Sequence, residues 1–143
     1  MPSIAEKNVE VVLAYFDGCN TGELSDLLPT LDADVVHYFL PDRFKPINGA
    51  EHLAKYWRKF KVRLNPTWKI DHIIAQRDEV VSEWSCLWTP EGTDQRHIFR
   101  GTEWYVMRNA KIAEVRAYFD FNDSQSTGLT GFPYGDRGYL GDA

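Results

Sequence analysis

The chain has no run of eighteen apolar residues, and its start, MPSIAEKNVE, has no apolar segment behind a basic tip, so neither a membrane-spanning helix nor a secretory signal is read from it. A soluble, cytoplasmic protein without a membrane partner is the expectation. Cysteine is scarce: Cys19 and Cys86 are the only two, and neither sits in a paired motif, which excludes a disulfide framework, a zinc knuckle and a redox CxxC. Positive charge is in deficit, with 16 Lys and Arg against 21 Asp and Glu and a formal net charge of −5. Nucleic acid is therefore excluded as a partner, since binding it requires a basic surface that releases counterions from phosphate. The one basic run, KYWRKFKVR from Lys55 to Arg63, reads as the solvated side of a helix. No GxSxG elbow, glycine-rich phosphate loop or HExxH is present, and His37, His52, His72 and His97 are too scattered for a recognised ligand spacing. No metal, no cofactor and no covalent nucleophile are expected, which leaves acid/base chemistry.

What the chain does have is aromatic side chains: five Trp, seven Tyr and eight Phe in 143 residues. A chain of this length forms one domain and needs no disulfide or metal to hold its core. So many rings imply either a dense core with an aromatic contact face or a cavity for a flat organic molecule.

Apolar spacing predicts a helix from Ile4 to Cys19, opened by Ser3 and Glu6 as a capping box, and a second from Glu23 to Leu31, broken near Pro29. A strand from Asp34 to Leu40 ends at Pro41, a loop runs from Asp42 to Asn48, and a third helix spans Gly49 to Val62. Four strands follow, Thr67–Gln76, Val80–Thr89, Gln95–Met107 and Lys111–Phe121, each separated by turn residues. Residues 1–121 are read as the domain and 122–143, with five glycines, Phe132, Tyr134 and Tyr139, as a tail that frays, covers a pocket or clasps a partner. Helices followed by a long meander predict an α+β domain in which a curved sheet wraps around the helices.

The segments VVLAYFDGCNTGEL (Val11–Leu24), DADVVHYF (Asp32–Phe39), NGAEHLAKYW (Asn48–Trp57), RGTEWYVM (Arg100–Met107) and KIAEVRAYF (Lys111–Phe119), in this order and spacing, resemble the nuclear transport factor 2-like superfamily, in particular its SnoaL-like polyketide cyclase and ketosteroid isomerase branches. The resemblance implies a cone-shaped barrel of strongly curved antiparallel sheet around three helices, a homodimer, and a cofactor-independent acid/base enzyme. Isomerase, cyclase, dehydratase and retro-aldol lyase activities on a hydrophobic aromatic or polyketide-like small molecule share an enolate or phenolate intermediate. A non-catalytic binding or dimerisation module of the same fold is the alternative. Epoxide hydrolysis ranks last, because the Arg-x-Asp spacing of that branch is missing around Arg100.

By the same resemblance, Tyr15 on the first helix and Glu103 on the penultimate strand match an oxyanion donor and an acid/base carboxylate. At the general-base position stands Tyr38, a poor base but a possible donor; His37 is the runner-up, because alternation admits only one of the two to the cavity. Asp42 could reach the rim. Tyr56, Trp84, Trp88, Tyr105, Phe119 and Phe121 are expected as cavity walls. The side that Glu103 faces depends on the last hairpin. In the final strand, Val115, Ala117, Phe119 and Phe121 form the apolar face and Glu114, Arg116 and Tyr118 the other. A three-residue connection sets Glu103 opposite Val115 on the apolar face, and a two-residue Asn109-Ala110 turn pairs it with Arg116. Ala110 is ill suited to the positive φ of a tight turn, which favours the longer loop. Arg100, Thr102, Trp104, Arg116 and Tyr118 would then form the dimer face.

Overall fold

The structure, a computed structural model, describes residues 1–41 and 44–119. Asp42, Phe121 and the expected tail lie outside the described residues.

Helix α1 (Ile4–Thr21) begins with the expected capping box: the Ser3 hydroxyl accepts from the Glu6 N–H and the Glu6 carboxylate accepts from the Ser3 N–H. It stops where Gly22 takes a left-handed φ of 72°, and the Gly22 N–H donates back to the Gly18 carbonyl. The second helix, α2, is only Leu24–Leu27, and a 3₁₀ turn over Leu28–Thr30 follows. Pro29 lacks the N–H needed to continue the α-helical ladder, so strand β1 (Leu31–Leu40) begins three residues earlier than its apolar pattern predicts. The expected loop contains a two-residue strand, β2 (Ile47–Asn48), ahead of α3 (Ala50–Leu64). The meander comprises β3 (Thr67–Gln76), β4 (Glu79–Trp88), β5 (His97–Arg108) and β6 (Lys111–Phe119).

The strands form one six-stranded sheet in the order β2-β1-β6-β5-β4-β3. The expected barrel is corrected to an open sheet with β2 and β3 as edges, and the expected antiparallel pairing to a mixed one, because β1 runs parallel to β6. Parallel neighbours need a long crossover, supplied here by α3 and the intervening strands. Register shifts between Leu31 and Val36, Ile70 and His72, and Val106 and Met107 mark bulges that bend the sheet. Helix α1 packs across β3 and β4 and α3 packs against β1, so the helices cover one face. The core between them includes Val12, Leu27, Leu53, Val80, Ile112 and Val115, all fully buried.

Two features of the β5–β6 hairpin act against each other. Asn109 and Ala110 both have positive φ, 51° and 58°, so the connection is the tight two-residue turn, and the longer loop favoured by the sequence is corrected. Left-handed backbone at Ala110 costs about 1–2 kcal/mol. The turn alone would set Glu103 against Arg116. Instead β6 bulges at Ala113: Met107 pairs with Ile112, but Val106 pairs with Glu114. That one extra residue moves every later pair along by one and sets Glu103 opposite Ala117, on the apolar face.

Candidate active site

Between the inner face of the sheet and α3 lies an aromatic cavity of about 60 Å³. Strand β1 supplies His37 and Phe39, α3 supplies Tyr56, Trp57 and Phe60, and Phe44 stands at the loop side. The opposite wall is Trp68 of β3, Trp84 of β4, Phe99 and Glu103 of β5, and Ala117 and Phe119 of β6. Such a volume holds about two water molecules and is less than half of the about 150 Å³ that takes up a benzene ring, so a ring enters only as the aromatic walls adjust. Phe44, Tyr56 and Phe60 also line an outer groove of about 240 Å³, whose remaining wall is Lys59, Arg63 and Leu64. The groove thus adjoins the cavity along α3.

Glu103 is the acidic residue on this wall, and it is 4% exposed. Burial among rings disfavours its charged form and pushes its carboxyl up to about 7. One hydrogen bond works against burial: the Tyr105 hydroxyl donates to Glu103 Oε2 at 2.5 Å, and the Ser82 hydroxyl lies 2.9 Å from the same phenol oxygen. Because the Tyr105 proton is committed to the carboxylate, Ser82 is left to donate to Tyr105. Residues 103 and 105 share a strand face, and Ser82 is the β4 partner of Glu103, so the relay is built by alternation and register. Tyr105→Phe removes a charge-assisted bond and is expected to raise the Glu103 pKa by about one unit. Carbon NMR of the labelled glutamate carboxyl would show the shift; a fall in pKa would mean that the phenol does not hold the carboxylate.

His37, fully buried, places Nε2 4.0 Å from Glu103 Oε1. Neither of its ring nitrogens has a hydrogen-bond partner among the described residues, and desolvation lowers its pKa to about 3, so it is neutral over the working range. Its ring packs against Phe39 at 4.4 Å and Trp57 at 5.6 Å.

The structure sorts the residues predicted from sequence into three groups. His37, Tyr56, Trp84, Glu103 and Phe119 line the cavity. Tyr15, Trp88 and Tyr105 are buried behind it: Tyr15 OH accepts from Trp57 Nε1 at 2.6 Å, Trp88 packs on His97 and Phe99, and Tyr105 supports Glu103. Tyr38 is half-buried on the outer face opposite Arg116, so the expectation that it enters the cavity is corrected and β1 presents His37 inward instead. The phase of β1 is set by Val35 and Phe39, which are buried on the same side as His37.

The sequence reading missed the wall aromatics Phe39, Phe44, Trp57, Phe60, Trp68 and Phe99. Phe99 was recoverable, since it lies four residues before Glu103 on the same strand face. Trp68 was not, because its placement depends on Asn20, whose side-chain amide donates to the Trp68 carbonyl at 3.0 Å and accepts from the Trp68 N–H at 2.7 Å. The polar stop of α1 is thus also a two-point clamp on the cavity wall.

Among the described residues, no group of three His, Cys, Asp or Glu is placed to hold a metal ion, and no helix is long and apolar enough to cross a membrane.

Solved structures share this architecture. An LEH-like epoxide hydrolase from M. tuberculosis aligns with a TM-score of 0.72 at 21% identity, over 81% of this chain and 84% of that one. A protein of unknown function with a cystatin-like fold from Methylobium petroleophilum PM1 aligns at 0.73 with 26% identity, over 99% and 93%. A protein with a ketosteroid isomerase-like fold from Catenulispora acidiphila DSM 44928, solved in complex with trimethylamine, aligns at 0.74 with 16% identity, over 82% and 92%. No curated protein matches the sequence. Residues 12–115 match the SnoaL-like domain family, which spans both the helices and the strand that carries Glu103; the chain belongs to that family, within the nuclear transport factor 2-like superfamily.

Proposed function

We propose that this protein is a cofactor-independent acid/base enzyme acting on a small hydrophobic compound with an enolisable carbonyl, in the reaction group of isomerases, cyclases, dehydratases and retro-aldol lyases. One observation carries the reading: a carboxyl group with a pKa near 7 on the wall of an aromatic cavity. At neutral pH such a group is present in both protonation states, which suits a residue that takes a proton and returns it. Glu103 as carboxylate would remove a proton from the carbon next to a carbonyl, giving an enolate and a protonated Glu103. Return of that proton to a different carbon completes an isomerisation, and its delivery to a leaving hydroxyl completes a dehydration. The Tyr105 hydroxyl steadies the carboxylate through the cycle. The Catenulispora protein was solved in complex with trimethylamine, which supports small-molecule binding by this fold. Epoxide hydrolysis is less favoured: Asp71 and Arg100, which pair at 3.2 Å, do not line the cavity.

The test follows hydrogen–deuterium exchange of 2-indanone and acetophenone in D₂O by proton NMR. The wild-type protein is expected to accelerate loss of the α C–H signal and Glu103→Gln to return it to the buffer rate. No acceleration by the wild type, or equal acceleration by the variant, removes the proposal and favours a binding module.

The same reading includes a homodimer through the outer sheet face, where Trp104 (39% exposed), Tyr118 (44%) and Ile74 (57%) are large apolar groups facing solvent in the single chain. Arg116 lies over the Trp104 ring at 5.7 Å. The double variant Trp104→Asp, Tyr118→Asp is expected to sediment as a monomer where the wild type sediments as a dimer; equal masses would end this part of the proposal.

A further inference from the structure

The enolate chemistry above needs hydrogen-bond donors for the oxygen that gains charge, and the phenols expected to serve are engaged elsewhere. Tyr15 lies behind the wall, where its oxygen accepts the Trp57 N–H and its hydroxyl donates to Cys19; Tyr38 lies on the outer face, Tyr105 donates to Glu103, and the one N–H of neutral His37 stands beside the Glu103 carboxyl. The indole N–H groups show where donors remain. Trp57 donates to Tyr15 at 2.6 Å and Trp104 to Glu79 at 3.0 Å. Trp68 and Trp84, by contrast, have buried Nε1 atoms without a hydrogen-bond partner among the described residues, and both line the cavity. A buried donor without a partner destabilises the fold, so two on one cavity wall point to an acceptor that arrives with a ligand.

These two rings are also fixed in place. Trp68 is held through its backbone by Asn20. Trp84 sits over Gly101, where a Cβ would lie 2.5 Å from Trp84 Cζ2. The rings contact each other with centroids 5.2 Å apart, and each packs against Phe99, at 5.9 Å and 5.2 Å. Donors locked before a ligand binds need no reorganisation when charge develops on its oxygen.

We propose that Trp68 and Trp84 form the oxyanion-binding pair of this cavity, and that its ligand is a one-ring aromatic or cyclic compound bearing an acidic hydroxyl or an enolisable carbonyl. The proposal rests on the reading of the cavity as the reaction site and gives that site its oxygen-binding half. The volume of about 60 Å³ admits no more than one ring, and that one as the walls adjust, and the surrounding aromatic faces favour a planar ring.

The probe is 4-cyanophenol, with 4-methylbenzonitrile as the control in which a methyl group replaces the hydroxyl. In nitrogen–proton spectra of the full chain, the Trp68 and Trp84 indole N–H signals are expected to move downfield with 4-cyanophenol and not with the control. The Trp57 and Trp104 signals, already bonded, are expected to stay near their places. Assignment uses single Trp→Phe variants or, where a variant does not fold, proton contacts to Phe99. Trp68→Phe and Trp84→Phe are each expected to weaken 4-cyanophenol binding about tenfold, the loss of one hydrogen bond to a charged oxygen, and to leave control binding within about twofold. Equal affinity of the wild type for the two probes, or indole signals that do not respond to 4-cyanophenol, would overturn the proposal. Glu103→Gln separates the two readings. Indole shifts retained with exchange lost uphold both, whereas shifts retained with exchange at the wild-type rate uphold the donor pair and remove only the proton shuttle.

Discussion

Glu103→Gln is expected to lower the proton-exchange rate by about a thousandfold and at the same time to make the protein more stable above neutral pH. The stability gain follows from the sign of the pKa shift. Burial raises the Glu103 carboxyl from 4.5 to about 7. Below pH 4.5 the carboxyl is protonated in both folded and unfolded chains, and its contribution is fully present. Between pH 4.5 and 7 the unfolded chain releases the proton while the folded one keeps it, so stability falls as pH rises. Above pH 7 the loss is complete and amounts to about 3 kcal/mol. His37 has the opposite sign: lowered from 6.5 to about 3, it costs stability as pH falls through that window, so the two slopes nearly cancel between pH 4.5 and 6.5. The glutamine side chain of the variant has no charge to bury and keeps an oxygen for the Tyr105 hydroxyl. The variant should therefore match the wild type near pH 4 and exceed it at pH 8 by about 3 kcal/mol, on the order of 10 °C in melting temperature. Thermal melts across this range check it. A variant less stable than the wild type at pH 8 would show that the carboxylate is not desolvated.

The second large effect is expected at Gly101. It stands between Trp84 on β4 and Phe119 on β6 in the pairing register, and both rings line the cavity. A Cβ there would meet Trp84 Cζ2 at 2.5 Å, the Tyr118 carbonyl oxygen at 2.8 Å and Phe119 Cβ at 2.9 Å. The carbonyl belongs to the sheet and cannot step aside, so the strain passes to the rings. Gly101→Ala is expected to cost about 2–3 kcal/mol, at the upper end for overpacking, and to displace Trp84 from the wall. A lower urea midpoint together with altered aromatic circular dichroism checks both parts. An alanine variant as stable as the wild type would mean that β5 and β6 can separate locally at this pair.

Local signals in the chain were legible wherever the physics is local. The capping box at Ser3 and Glu6, the stop at Asn20 to Gly22 and the alternation of β3 to β6 involve atoms within a few residues of one another, and each was read from spacing alone. Alternation also placed Glu103 and Tyr105 on one face of a strand, which is half of the carboxylate relay. The family resemblance added the order of the elements and the expectation of a cavity.

What spacing could not supply was the phase of each strand. On β1, His37 and Tyr38 are both polar-tipped rings, so the side that turns inward depends on how Val35 and Phe39 pack, which is a property of the assembled core. At the last hairpin the turn residues favoured one register and the bulge at Ala113 restored the other face, and no local rule weighs a left-handed alanine against a bulge. Hydroxyl groups were equally ambiguous: only the approach of Trp57 and Cys19 to Tyr15 shows that this phenol is engaged, while the Trp68 and Trp84 indole N–H groups are buried without a partner among the described residues. The sequence by itself determined the helices, the meander and the presence of a carboxylate among rings, because these follow from periodicity and composition. The tertiary structure alone decided which groups share the cavity and which donors are already bonded, because those depend on contacts between residues dozens of positions apart.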